Sequence, residues 1–384
     1  MQNQPTHPTG SLPKPEGAVR TTSPKTIALV GSTGFLGPHI LTYLLKVHPE
    51  SRIFCINRSA DGRQRTLLAL SQSGCNEKEH SRLQFLVGNI TKPNFGLATE
   101  HAALLASKMD ELIFNSWDTN WAKPLPHFEP FVNAMKLAVE FCVSAPSHPR
   151  ITFVSSVCAV ADWPLYHGPE EQLVPEEIIQ DGKNSVPHGY GQSKFIAEHM
   201  LAKAHEESGL RVNIVRAGQI GGPAKLAVRR WPRAQWIYSI LRASRKIGWL
   251  PTHVTPADWI PVDSLAEGIA NCTNRTPKLE TVQVFHMVHP QPAAWGLMQD
   301  TIQKRYGLRW KMTSLPDWLE RSKAQKFRLR GFLTGFQEGR EYNMAFANER
   351  ALEVLPEVPA LDEELLAEWL EGWEIEPDEL RAKL

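Results

Sequence analysis

The chain has 384 residues, of which 42% are apolar and 22% charged, with a formal net charge of +1. That length suits one large domain with a smaller appended lobe, and the near-neutral charge favours neither nucleic acid nor a membrane surface as a partner. The five cysteines, Cys55, Cys75, Cys142, Cys158 and Cys272, form no C-x-x-C pair and no His/Cys cluster at metal spacing, so a reducing compartment and no metal are expected.

The first 24 residues carry five prolines among Gln, Thr, Ser and Gly, a composition that predicts a disordered lead-in or linker. They contain no h-region, and no apolar run in the chain approaches the ~20 residues needed to span a bilayer, so the expected location is cytoplasmic. Ile27 to Val30 then read as a buried strand, followed by Gly31, Gly34 and Gly37 at three-residue spacing. The pattern Phe35, Leu36, Ile40, Leu41, Leu44, Leu45 predicts a helix. Strand, glycine turn and helix in this order place a helix N-terminus under a pyrophosphate. Gly31 permits the tight turn, Gly34 lets the backbone approach the phosphates, and Gly37 lets the helix pack on the strand. Thr33, Phe35 and Leu36, in the same turn, join the candidate cofactor contacts.

Strand-like runs follow at Arg52–Asn57, Leu83–Val87, Glu111–Asn115, Ile151–Ser155 and Arg211–Val215. Helical stretches are expected near 61–70, 128–143 and 190–207. The alternation predicts an α/β fold, a Rossmann-like doubly wound parallel sheet over residues 25–217, with ligands at the carboxyl ends of its strands. After about Ala217 the chain becomes helical, Trp-rich and Pro-punctuated, which predicts a smaller, mostly helical C-terminal substrate lobe over residues 218–384. One further strand-like run, Val282–Val288, lies in a stretch (about 255–290) expected to return to the first domain. All twelve tryptophans lie at or beyond Trp117; they serve either as cleft walls or as the core of the lobe. Leu361 to Trp373 reads as an acidic amphipathic helix closing the lobe.

Tyr190-Gly-Gln-Ser-Lys194 places a phenol and an ammonium one helical turn apart. The ammonium is expected to lower the phenol pKa and make Tyr190 a proton donor to a carbonyl oxygen, while Lys194 holds the nicotinamide ribose. The strand ending in Ser155-Ser156 can bring a hydroxyl to the same cleft. Ser156 is the first choice and Ser155 the fallback.

With its G-x-x-G-x-x-G turn, Ser155-Ser156 strand end and Tyr190/Lys194 pair, the chain resembles the extended short-chain dehydrogenase/reductases. It looks closer still to the thioester reductase domains that terminate non-ribosomal peptide synthetases, polyketide synthases and carboxylic acid reductases. That likeness rests on Gly88-Asn-Ile-Thr91, Arg216-Ala-Gly-Gln-Ile-Gly-Gly222, Trp231-Pro-Arg-Ala-Gln-Trp236, Gly248-Trp-Leu-Pro251 and Asp258-Trp-Ile-Pro-Val-Asp263. The resemblance implies NADPH-dependent reduction of an acyl thioester, carried on the phosphopantetheine arm of an acyl carrier (thiolation) domain, to an aldehyde and on to the alcohol if a second hydride follows. It also implies adenine contacts from Asn89 and Ile90, with an amide where the family has an acid, and a cofactor contact from Asn115. The Asn-Ala or Asn-Gly pair usual in the family is Asn115-Ser116-Trp117 here, and the bulky Trp117 is expected to narrow the cleft. Gln219, Trp231 and Trp236 join Trp117 and Ser155 as candidate substrate residues.

Arg58 ends the second strand where an NAD enzyme would carry a carboxylate. With Arg65 on the next helix it can pair with a 2′-phosphate, which favours NADPH; otherwise it is a solvated loop residue. Lys225 to Lys246 holds seven basic residues, Arg229 and Arg230 among them, and no acidic one. This run either docks the carrier domain and its phosphate or forms a solvated helix face. Three other functions stay open: another extended-family reductase or epimerase acting on a free small molecule, a non-redox cyclase of the same domain type, and a non-catalytic NADP(H) sensor. The last two have no need of Tyr190.

Overall fold

The structure, a computed structural model, describes residues 24–373 except 74, 76, 169, 170, 172, 226–230, 234, 256, 276–280, 326–332 and 334–344. The proline-rich lead-in, but for Pro24, and the pair Arg229 and Arg230 lie outside the described residues.

Seven strands form one parallel sheet: β1 (Thr26–Val30), β2 (Arg52–Asn57), β3 (Leu83–Val87), β4 (Glu111–Phe114), β5 (Arg150–Ser156), β6 (Val212–Ala217) and β7 (Gln283–Met287). Their spatial order is β7-β6-β5-β4-β1-β2-β3. The register runs Val30↔Ile56 on one side of β1 and Val30↔Phe114 on the other. The chain winds outward from β1 to β3, then returns to lay β4 on the opposite side of β1. That reversal opens a crevice beyond the carboxyl ends of β1 and β4.

Helices cover both faces, as an all-parallel sheet requires. On one face Ile27, Leu29, Ile53, Cys55, Ile113 and Phe285 pack against α1 (Gly37–Val47) and α7 (Val262–Cys272). On the other, Ala28, Val30, Phe54, Phe114 and Phe153 meet Leu105 of α3 (Thr99–Lys108), Met135 and Phe141 of α4 (Glu129–Ser144), and Ala197 and Leu201 of α5 (Gly189–Ser208). Between the first and last of these lie α2 (Gly62–Gln72), after β2, and α6 (Trp236–Ile247), after β6. The strand β7 and helix α7 thus belong physically to the main sheet although they follow α6 in the chain.

A separate apolar core is built from α6, α8 (Gly296–Tyr306), α9 (Leu315–Arg321) and α10 (Glu363–Leu370). Trp231, Trp259, Trp295, Trp318, Trp369 and Trp373 are buried in it. This region is not purely helical, because Trp249–Pro251 pairs with Lys311–Thr313 and Ile220–Gly221 with Ile260–Pro261, both parallel. Among the described residues no helix is long and apolar enough to cross a membrane.

Candidate active site

The glycine turn sits at the crevice. Gly31 has φ of +94°, and a Cβ there would lie 3.0 Å from the backbone of Asn115 and Ser116. Asn115 donates from Nδ2 to the Gly31 carbonyl at 3.1 Å, tying the turn to the end of β4. A Cβ on Gly37 would stand 2.3 Å from the Gly31 carbonyl oxygen, whereas one on Gly34 would meet nothing nearer than 3.9 Å. Gly37 therefore closes the helix onto the strand, and Gly34, which is exposed, leaves backbone open to a ligand. Ser32 donates to Asn57 Oδ1 at 2.9 Å, fastening the turn to the end of β2.

The candidate adenosine side is more open. Arg58 is exposed and, among the described residues, makes no ion pair. Arg65 is exposed with Asp61 4.0 Å away, so its charge is already shared. The Asn89 side chain turns back on its own loop, its Oδ1 accepting from Thr91 N at 3.0 Å and Thr91 Oγ1 at 2.9 Å. Ile90 beside it is half-buried.

Neighbouring residues of a strand point to opposite faces, and this separates the two serines at the end of β5. Ser155 donates to Glu198 Oε1 at 2.5 Å, within the core. Ser156 accepts from Cys158 N at 3.2 Å, starting the short turn after β5 and keeping its own proton free to donate. Helix α5 begins where His188 Nδ1 accepts from Gly191 N at 3.0 Å. Gly191 allows the close approach of that helix to the Ser156 loop: a Cβ there would lie 2.7 Å from the Cys158 carbonyl oxygen.

Tyr190 and Lys194 project from the first turns of α5 and are both buried. Trp121 stacks on Tyr190 at 6.1 Å between ring centres, and Phe128 meets it edge-on at 6.2 Å. Lys194 Nζ donates to the Val154 carbonyl at 2.7 Å and lies 4.3 Å from the Trp117 ring centre and 4.5 Å from that of Phe153. The expected depression of the phenol pKa by this ammonium is not what the geometry gives. Burial raises the Tyr190 pKa, with the adjacent Cys158 adding to the rise, and only the Ser156 hydroxyl acts to lower it. The phenol is held as a protonated donor.

These groups share one cavity of about 1080 Å³. Gly34, Phe35 and Leu36 line it from the turn, Asn115 and Trp117 from the end of β4, and Ser155, Ser156, Tyr190 and Lys194 from β5 and α5. Gln219 and Trp236 line it from the far side. Trp236 Nε1 donates to Gln219 Oε1 at 2.8 Å, and Gln219 Nε2 to Gln235 Oε1 at 2.8 Å. Trp231 does not reach the cavity. It stacks on Trp373 at 4.8 Å and donates to the Ile220 carbonyl at 2.9 Å, a core residue and not a cleft wall.

A family model described as male sterility protein, an NAD-binding family, matches residues 29–269. The chain belongs to that family. The carboxylic acid reductase of Neurospora crassa is 28% identical over 372 residues, covering 90% of this chain and 35% of that protein. The chain thus spans about a third of that relative's length. Among solved structures, the terminal R domain from the myxalamid PKS-NRPS biosynthetic pathway matches with a TM-score of 0.77 at 24% identity, over 92% of this chain and 91% of the other. A thiolation-reductase di-domain from an archaeal non-ribosomal peptide synthetase matches with a TM-score of 0.72 at 19% identity, over 92% and 76%.

In this male sterility family member the residues present fit a dinucleotide: the open backbone at Gly34 lies just before α1, and the buried Asn57 Nδ2 at the end of β2 has no hydrogen-bond partner among the described residues. Several cavity residues escaped the sequence reading. Trp121 and His188 carry no motif signal: Trp121 reaches Tyr190 from the loop after β4, and His188 from the residue that caps α5. Asp118, also in the cavity, pairs with His127 at 2.7 Å. Arg242 and Lys246, exposed on one stripe of α6, were visible as part of the basic run, and Asp258 as part of a quoted motif. Burial raises the Asp258 carboxyl to about 6.

Proposed function

We propose that the chain is an NADPH-dependent reductase that releases an acyl thioester from the phosphopantetheine arm of a carrier domain as an aldehyde. The observation that carries this reading is the meeting of Ser156, Tyr190 and Lys194 in one cavity with the Gly34–Leu36 turn. Bound NADPH would supply the hydride. The chain's part is to hold the thioester carbonyl oxygen between the Tyr190 and Ser156 hydroxyls, which stabilise negative charge as it develops there. Tyr190 then gives up its phenolic proton, and Lys194 positions the ribose. Trp117, Trp121 and Trp236 supply apolar walls that exclude water. We further assign cofactor binding to residues up to about 217 and most of the acyl cleft to the later helices.

Arg58, just after β2 and without an ion pair among the described residues, supports a 2′-phosphate and hence NADPH. Arg242 and Lys246 support an anionic arm, because they line the cavity wall and, among the described residues, have no ionic partner. The names of the neighbours, a carboxylic acid reductase and a thiolation-reductase di-domain, agree with this reading.

The deciding assay follows NADPH oxidation with a panel of acyl pantetheine thioesters, with products identified, in the native protein and in Tyr190→Phe. Turnover that requires thioester and falls at least about a hundredfold in the variant is expected. NADPH binding without reduction of any thioester or aldehyde, even on a carrier protein, would overturn the reading.

A further inference from the structure

Behind the Tyr190–Lys194 face of α5 lies a row of buried polar groups that the chemistry above leaves unused. Glu198 follows Lys194 by one helical turn and is 1% exposed. Arg216 on β6 clasps its carboxylate, Nη2 at 2.7 Å and Nε at 3.1 and 3.2 Å, and Ser155 donates to it from the other side at 2.5 Å. His286 on β7 completes the row, with Nε2 3.0 Å from Arg216 Nη1 and Nδ1 2.8 Å from the Ala347 carbonyl. Since a carbonyl only accepts, the ring proton sits on Nδ1, and Nε2 accepts from the arginine. His286 is therefore neutral, and burial beside Arg216 holds its pKa down at about 3.

Around Lys194 the charges are thus two cations, the lysine itself and Arg216, and the Glu198 carboxylate; the next carboxylate, Glu176, accepts from the backbone N of His286 at 2.8 Å and of Arg350 and Ala351 at 2.6 and 3.0 Å. The other groups facing Lys194 do not supply a second anion. The Cys158 thiol is pushed up to about 11 by burial, and the Tyr190 phenol is raised as well. Asp118 is engaged with His127. Trp117, Phe153 and the Val154 carbonyl offer only ring faces and a dipole. An arginine keeps its proton in a protein, whereas a buried lysine can shed one. Loss of the carboxylate would leave two like charges in an apolar interior, and Lys194 is the one able to neutralise. Burial already drives the Lys194 pKa well below the ordinary lysine range, and Glu198 is the foremost group opposing that fall.

We propose that Glu198 is a positioning residue that keeps Lys194 an ammonium ion at neutral pH, with Arg216 and Ser155 holding its carboxylate in place. The inference rests on Lys194 serving the reductase reading, and it adds a control on when that lysine is competent.

The test compares Glu198→Gln, Glu198→Asp and Arg216→Gln in the full chain, reading thioester reduction and, separately, NADPH affinity by fluorescence titration between pH 5.5 and 9. Glu198→Gln is expected to move the alkaline limb of both profiles to lower pH by about one unit or more, so that the deficit is greatest at high pH and shrinks on acidification. Glu198→Asp, which keeps the charge, should stay near the native profile. Arg216→Gln removes the competing cation while keeping an amide donor for the carboxylate, which leaves Lys194 as its one cationic neighbour, and should move the limb upward, a reversal that loss of packing would not produce. A folded Glu198→Gln protein with native pH dependence in both readouts would overturn the proposal. If that variant does not fold, Arg216→Gln decides alone: an upward move supports the proposal, and an unchanged or downward limb overturns it. If the native protein reduces no thioester, the reductase reading fails, and the NADPH titration still reports on Lys194.

Discussion

Gly34 and Gly37 stand three residues apart in one turn, yet an added methyl group should act on them differently. At Gly37 the new carbon would press 2.3 Å from a backbone oxygen that cannot step aside. Gly37→Ala should therefore destabilise the fold by about 1–3 kcal/mol, visible as a lower Tm. At Gly34 the nearest atom is 3.9 Å away, so Gly34→Ala should leave Tm nearly unchanged and weaken NADPH binding in a titration. The paired serines divide in the same manner. Ser155→Ala strips a hydrogen bond from buried Glu198 and should cost about 1–3 kcal/mol of stability. Ser156→Ala removes the cap of the short turn after β5, at about 0.5–2 kcal/mol, and should lower kcat for thioester reduction by more than that loss of stability explains. Both hydroxyl-bearing positions were legible in the sequence, but their division was not, because it depends on which face of β5 looks toward α5. Trp231 shows the same limit: a tryptophan near a cleft motif can line the cleft or fill the core behind it, and only packing against Trp373 decides.

At the scale of elements, the strands were legible because each central strand of a parallel sheet is buried on both faces and reads as a short apolar run. Six of the seven begin and end within a residue of the expected bounds, and β6 extends two residues further than its apolar run suggested. Helix α3 escaped notice for the converse reason: only Ala102 and Leu105 of its ten residues are buried, too few to mark a stripe. Helix α10 was legible from Leu365, Leu366 and Trp369, but its role was not. The Trp369 ring lies where a Cβ on Gly221 or Gly222 would stand, 2.4 Å from its atoms in either case, and its Nε1 donates to the Pro223 carbonyl at 3.0 Å. Trp369→Ala should cost about 3–5 kcal/mol by denaturant unfolding, the range for a large aromatic cavity. It should also loosen the strand pair of Ile220–Gly221 with Ile260–Pro261, and with it the cavity wall at Gln219.

For the whole molecule, the four histidines shifted furthest by burial contribute to the response to acid. Burial holds His39, His48 and His188 down at about 4 and His286 at about 3, against an ordinary value of 6.5. Between these values the unfolded chain binds protons that the folded chain refuses, so stability present above pH 6.5 is lost as pH falls toward 4. A Tm series should decline through that window. Acid should reach activity too, since a proton on His188 Nδ1 would remove the acceptor that starts α5 at Tyr190.

The second core has a further consequence for how the protein is made. Trp369 reaches back to Pro223 and Trp373 to Trp231, each across more than 140 positions of chain. A ribosome will have released β1 to β6, and the glycine turn with them, long before the helix that seals the tryptophan cluster emerges. The nascent chain should thus acquire its dinucleotide crevice early and its tryptophan-backed wall last, leaving an interval in which the exposed indoles of the unfinished core are surfaces for a chaperone.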